Sequence, residues 1–193
     1  MITEDTELII GLDISLTSTG MGVYSISEGT LTTESIKTNN KSSYMERYRT
    51  ILGRIKEIDH FIVSGSIFFI EGYSFGSFGK SSSMSNIIEL SGIIKYDLTI
   101  RERMYIDVPP TILKKFITGK GNAKKEDIKL ALYKKYQKEF KNSDEADAYA
   151  LTMFGLKYLA VNSSFNGSPT AAEKECIIKV RSLHGPTVKT LSS

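Results

Sequence analysis

Four acidic residues stand where a carboxylate can do chemistry and not merely face solvent. Asp13 lies late in the apolar run Glu7 to Ile14 (ELIIGLDI), and Glu71 closes a second run, Ser66 to Glu71 (SIFFIE). An unpaired carboxylate is costly to bury, so each must either reach an exposed strand end or meet positive charge. One acid followed by Gly at a strand end reads as a turn-former, whereas two on two buried strands point to a shared site. Asp144 and Asp147 are three residues apart at the start of a helix, which puts both side chains on one face. Taken alone, Asp144 is better explained as a helix cap or a dipole partner. The small residues Ala146, Ala148 and Ala150 let this helix lie close against a sheet and carry Asp147 down to the strand ends, while Glu145 is expected to point away into solvent. Four converging carboxylates repel one another unless a divalent cation joins them, and oxygen-only ligands favour Mg²⁺, with Mn²⁺ as a substitute. Two such ions about 4 Å apart suit phosphodiester hydrolysis, readying water and stabilising the leaving oxygen. His60 and His184 are the only histidines, one at a helix end and one in the tail, so no Ser-His-Asp or Cys-His route competes.

Positive charge is concentrated nearby in sequence. Net charge is +3, but Lys114 to Lys138 holds nine Lys against Glu126 and Asp127, or +7, leaving the rest of the chain at −4. A lysine run can be only a solvated helix face. Beside an acidic cluster it is also what a metal-dependent nuclease needs, lysines for phosphates and carboxylates for metal. The 193 residues suit one ordinary domain, and 40% apolar residues suffice for a real core. The single Cys176 can form neither an internal disulfide nor a multi-cysteine zinc site and is read as an inert thiol. No apolar run approaches the roughly 18 to 20 residues needed to span a bilayer, and the beginning MITEDTE is acidic where a secretory signal would be basic. The expected location is cytoplasmic or otherwise intracellular and DNA-associated, not secreted.

The elements that must position these residues follow from periodicity. Glu7 to Ile14, Gly20 to Ile26 and Leu31 to Lys37 read as a three-stranded antiparallel meander with a turn at Glu28-Gly29. A helix from Ser42 or Ser43 to about Asp59 carries apolar residues at helical spacing. Ser66 to Glu71 is a buried strand. Gly72 to Ser85 is a loop that opens into a helix over Met84 to Arg101. Met104 to Val108 is a fifth strand closed by Pro109-Pro110, and Thr111 to Phe116 is a short basic helical turn before Gly119-Lys120-Gly121. Helices are expected over Ala123 to Glu139 and Asp144 to Leu159. Residues 1–161 then form the domain; 162–193 form a linker and a C-terminal extension, with a helix expected over Ala171 to Leu183. Meander strands followed by helix-strand alternation give an α/β fold, a mixed sheet with helices on its faces.

Asp13 in GLDISLTSTG, Glu71 in FIEGY, the segment ITGKGNAKKEDI and the closing DEADAYAL together resemble, in order and spacing, the RuvC family of Holliday junction resolvases within the RNase H-like nuclease superfamily. The resemblance covers about residues 7 to 160. It implies an RNase H-like mixed five-stranded sheet ordered 3-2-1-4-5, three antiparallel strands and then parallel ones, with helices on both faces. It implies metal-ligand roles for Asp13, Glu71, Asp144 and Asp147, and phosphate-holding roles for Lys114 and Lys125, with Lys120 and Lys124 making the Gly turn more basic than usual. The family carries an aromatic residue shortly after the catalytic Glu; the third position here is Ser74, flanked by Tyr73 and Phe75 as base-stacking candidates. The implied activity is Mg²⁺-dependent cleavage of branched DNA, four-way junctions above all, by a homodimer. Helix Met84 to Arg101, with Ile87, Ile88, Leu90, Ile93 and Ile94, offers more apolar positions than one core stripe needs and is the expected interface.

Three alternatives share parts of this pattern. Another RNase H-like nuclease, acting on flaps, forks or RNA/DNA hybrids, would carry the same carboxylates. A non-catalytic branched-DNA-binding protein would use the lysines and keep the acids as caps and turns. An actin-like ATP-binding protein also begins on a GLDIS-like strand but needs further Gly-rich phosphate motifs, which are missing from the expected places.

Overall fold

A computed structural model describes residues 6–60, 65–72, 82–160 and 167–184. Strands β1 (Thr6–Asp13), β2 (Ser18–Ser25) and β3 (Thr30–Lys37) form the meander; then come α1 (Tyr44–His60), β4 (Gly65–Glu71), α2 (Ser82–Ile100) and β5 (Met104–Val108). Four helices complete the chain: α3 (Pro110–Thr118), α4 (Lys125–Tyr136), α5 (Ser143–Tyr158) and α6 (Ala171–His184). The sheet order is β3-β2-β1-β4-β5, with β1, β2 and β3 antiparallel, β4 parallel to β1 and β5 parallel to β4. Order and strand directions are those the resemblance implies.

Because strand side chains alternate between faces, the near-continuous apolar runs serve two cores. Leu8, Ile10 and Leu12 of β1, with Phe68 and Ile70 of β4, meet Tyr48 and Ile51 of α1 and Leu90 and Ile94 of α2. Ile9 of β1, with Ile67 and Phe69 of β4, faces the other side, where α3, α4, α5 and α6 pack. By the same alternation Asp13 and Glu71 belong to the face that α5 covers. The parallel register pairs Leu12 with Ile70, so Asp13 and Glu71 come next, side by side at the ends of adjacent strands.

Helix α5 lies unusually close to this sheet, and the cause is in the strands as much as in the alanines of the helix. Gly11 and Gly22 are cross-strand partners in β1 and β2. A Cβ on Gly11 would sit 2.6 Å from the Ala148 carbonyl oxygen, and one on Gly20 would sit 2.1 Å from that of Asp144. With no side chains there, the helix backbone rests on the strands themselves.

The remaining differences from expectation are local. The turn expected at Thr111 to Phe116 is a full helix, α3: Pro110 presets its first turn, and Gly119, at φ 79, ends it by donating its N–H to the Lys115 carbonyl at 2.8 Å. Helix α4 stops at Tyr136 and not at Glu139, with Gln137 in the left-handed region at φ 53. Leaving the helix there lets Phe140 as well as Tyr136 pack on the Tyr149 ring. In α2, Leu90 and Ile94 are buried and Ile87 and Ile93 pack beside them, so these expected interface positions serve the core. The exposed apolar residues of that helix are Tyr96 and Ile100. Helix α6 adds Cys176, Ile177 and Val180 to the core on the α5 side, and burial pushes the Cys176 thiol up, away from a reactive thiolate. Among the described residues no helix is long and apolar enough to cross a membrane.

Candidate active site

Asp13, Glu71 and Asp147 open onto one cavity of about 290 Å³, together with Lys114 and Lys125. Each comes from a different element. Strands β1 and β4 deliver the first two at their carboxyl ends, the position at which open α/β sheets commonly bind ligands. Helix α5 delivers Asp147 from above, α3 supplies Lys114 and α4 supplies Lys125 at its first residue.

Electrostatics bind the group together. The Asp13 and Glu71 carboxyls lie within hydrogen-bonding reach of each other, an interaction that favours ionisation of Asp13 and opposes that of Glu71. Burial raises the pKa of Asp13; the bond from Glu71 and the charge of Lys125 oppose that, while the charge of Asp144 adds to it. Burial holds Glu71 well above the ordinary carboxylate range, helped by the charges of Asp13 and Asp147 and opposed by Lys114. Asp147 is pushed up to about 6, mainly by burial and then by the charge of Asp13, with Lys125 and Lys114 pulling against it. Asp144 contributes to this mutual repulsion, since its charge acts on both Asp13 and Asp147, although it does not line the cavity. Three carboxyl groups that resist ionisation, facing two lysines, are short of positive charge.

The cap of α5 is Asn142, whose side chain accepts the Glu145 N–H at 2.9 Å. Asp144 is therefore not needed for capping. Glu145, expected in solvent, is partly buried, because its carboxylate accepts from the Asn142 amide at 3.2 Å and so joins the cap. Lys120 and Lys124 stand apart from the acids. Lys120 lines a separate shallow groove between α3 and α4, and Lys124 is the exposed residue before α4, its N–H donated to Asp127 at 2.9 Å. Tyr73 and Phe75 lie outside the described residues. Ser91 of α2 is a buried polar residue on the cavity wall that the sequence did not single out; its signal is a hydroxyl inside an apolar helix.

The donor set fits a hard divalent cation: every candidate ligand is a carboxylate oxygen, and adding charge would relieve the raised pKa values. Among the described residues no three acidic, histidine or cysteine side chains are already gathered into a ligand shell. A cation would supply the positive charge that Asp13, Glu71 and Asp147 lack.

No protein-family model matches the chain. Over 150 residues, 75% of this chain and 95% of the relative, it is 26% identical to the crossover junction endodeoxyribonuclease RuvC of Synechococcus sp. (strain CC9605). The structure of Thermus thermophilus RuvC superposes with a TM-score of 0.61 at 21% identity, covering 79% of this chain and 96% of that one. T. thermophilus RuvC in complex with Holliday junction substrate gives 0.62 at 18% identity with the same coverage. These likenesses establish the RNase H-like fold. With that fold, a sequence match along nearly the whole relative, and acids that meet at the ends of β1 and β4, the chain is similar to RuvC in both sequence and architecture.

Proposed function

We propose that the chain is a divalent-metal-dependent endonuclease that cuts branched DNA, with the four-way junction as its principal substrate. The observation that carries this is the meeting of Asp13, Glu71 and Asp147 with Lys114 and Lys125 around one cavity, carboxylates to hold cations beside lysines to hold phosphate. The match to a crossover junction endodeoxyribonuclease and the fold shared with a RuvC bound to Holliday junction substrate support the choice of DNA.

Asp13, Glu71 and Asp147, with Asp144 close enough for its charge to act on two of them, would hold Mg²⁺ or Mn²⁺. When bound, the cations supply Lewis-acid charge at the scissile phosphate and ready water for in-line attack. The chain's own residues do the rest. Lys114 and Lys125 hold phosphate oxygens and set the backbone's position over the acids. Their charges also lower the pKa of Glu71 and Asp147, favouring the ionised carboxylates that a cation needs. The apolar lining, Ile14, Leu113 and Ile128 among it, limits water around the carboxylates and strengthens every charge interaction there. Lys120 and Lys124 are proposed as DNA contacts beyond the cavity, and Tyr73 and Phe75 as base-stacking residues.

A four-way junction has two-fold symmetry and needs paired cuts, so a symmetric homodimer is the economical assembly. Sedimentation that shows only monomer at micromolar concentration, with and without junction, would remove the dimer from this proposal. The cleavage test compares four-way, three-way, flap, hybrid and linear substrates with and without Mg²⁺. Preference for the four-way junction, lost on chelation, is the expected result. Preference for a flap or a hybrid would move the chain to another RNase H-like activity, and binding without cutting would make it a DNA-binding protein.

A further inference from the structure

Away from the cavity, α6 carries a buried carboxylate that the proposed chemistry does not use. Glu173 is 1% exposed and accepts hydrogen bonds from Lys157 of α5 at 2.9 Å, from Lys135 of α4 and from the Thr170 N–H at 2.7 Å. One acid thus ties together the helix that bears Asp147 and the helix that bears Lys125. Lys135 lies ten residues along α4 from Lys125, and Lys157 lies ten residues along α5 from Asp147. Each distance is about 15 Å of helix. Helix α4 buries only Ile128 and Leu132 in full and packs Ala131 and Tyr136 beside them, with the Tyr136 ring on Tyr149 of α5. Its far end is therefore held by the Tyr136 ring and by the Lys135–Glu173 ion pair together.

We propose that Glu173 is a positioning residue, holding the far end of α4 to α5 and α6 so that Lys125 stays at the distance from Asp147 that phosphate binding requires. A helix is stiff over three turns, so removing the Lys135 tether loosens the far end of α4 and shifts Lys125 at the other end. The geometry is selective. Lys114 sits on α3, which packs on α6 through the apolar contacts of Phe116, Cys176 and Ile177, so it keeps its place when Glu173 is neutralised.

The proposal rests on the nuclease function above, and its test separates the two. Salt dependence of four-way-junction binding is measured by fluorescence anisotropy in metal-free buffer, and single-turnover cleavage with Mg²⁺, for the full chain, Glu173→Gln, Lys125→Ala and the double variant. Removing a buried acid should by simple electrostatics strengthen DNA binding. Positioning predicts the reverse: the salt slope of Glu173→Gln falls by about 0.9, the loss of one phosphate contact. Cleavage falls on the order of tenfold to a hundredfold. On the Lys125→Ala background the same substitution changes neither quantity, because the residue it positions is gone. A Glu173→Gln protein that melts earlier but keeps the slope and rate of the parent chain overturns the proposal, as does an effect that adds in full to that of Lys125→Ala. If circular dichroism shows Glu173→Gln unfolded, Lys135→Met replaces it, leaving Glu173 paired with Lys157, and the same outcomes decide. No effect of Lys125→Ala on either quantity would overturn the phosphate role of that lysine, and the positioning role with it.

Discussion

Neutralising Asp147 should make the metal-free protein more stable at alkaline pH, by an amount the structure sets. Its pKa stands at about 6 against the ordinary aspartate value of 3.8. In that window the folded protein holds a proton that the unfolded chain has released, so stability falls as pH rises from about 4 to about 6, and the full cost is present above. At about 1.4 kcal/mol per pH unit of separation, the ionised carboxylate costs the fold roughly 3 kcal/mol. The attractions of Lys114 and Lys125 already oppose burial in that figure. An amide in the same place must still be desolvated, which leaves a gain of about 1 to 2 kcal/mol for Asp147→Asn at pH 8. In a chain of this length that is a rise in Tm of about 2 to 8 °C. At pH 4, where the folded parent is already largely protonated at this position, the rise should vanish. Saturating Mg²⁺ should invert the order, because a cation at a hundred times its Kd stabilises the parent by about 2.7 kcal/mol and the variant by less. Differential scanning fluorimetry at pH 4 and 8, with EDTA or Mg²⁺, reads all four values. A variant less stable than the parent at pH 8 in EDTA, or an equal gain at both pH values, would refute the crowding of carboxylates inferred for the cavity.

Asp13→Asn and Glu71→Gln should each nearly abolish junction cleavage while leaving binding in metal-free buffer equal or tighter, measured by gel shift beside a cleavage assay; robust cutting by either would sink the mechanism. Asp144→Asn is expected to cost less than these, because Asp144 acts on Asp13 and Asp147 by charge without lining the cavity, and full retention of activity would remove it from the ligand set. Lys114→Ala and Lys125→Ala should each lower the slope of log affinity against log salt by about 0.9, and an unchanged slope in both would return the lysine run to a solvated face. Gly20→Ala should lower cleavage on the order of a hundredfold, because its Cβ would lie 2.1 Å from the Asp144 carbonyl and must lift α5 with all charges intact; parent-like activity would show that α5 can give way without consequence. Asn142→Ala should destabilise the fold by about 1 kcal/mol through loss of the α5 cap, read as a shift in the urea midpoint.

Much of the site is legible in the sequence because its residues sit where local pattern is strongest. Asp13 and Glu71 close apolar strands, and the desolvation cost of a carboxylate at the end of a run such as FFIE demands either water or a positive partner there. Spacing alone places Asp144 and Asp147 on one helix face. What sequence does not resolve is the division of labour between near neighbours. Asn142, not Asp144, caps α5, and only the position of the helix start decides that. Gly11, Gly20 and Gly22 look like ordinary strand glycines until α5 is laid across them from more than a hundred residues away. Gln137 takes a left-handed conformation that its residue type does not announce, so α4 reads too long. Glu173 is hidden for the same reason: Lys135 belongs to a run that reads as surface, and only the packing of α6 brings Glu173 to it and to Lys157.

The closure of the sheet by α5 also sets an order of events during synthesis. Strands β1 and β2 are complete by Ser25, yet the helix that covers their glycine stripe begins at Ser143. At roughly 5 to 20 residues per second, the ribosome needs about 6 to 24 seconds to span that interval. Throughout it Asp13 has no Asp147 beside it, and Ile9, joined by Ile67 and Phe69 once β4 is made, lacks the side chains of α5 that help to bury this face. The nascent chain therefore carries an incompletely covered apolar sheet face until α5 is made, and the proposed cation site stays incomplete until the fold is closed.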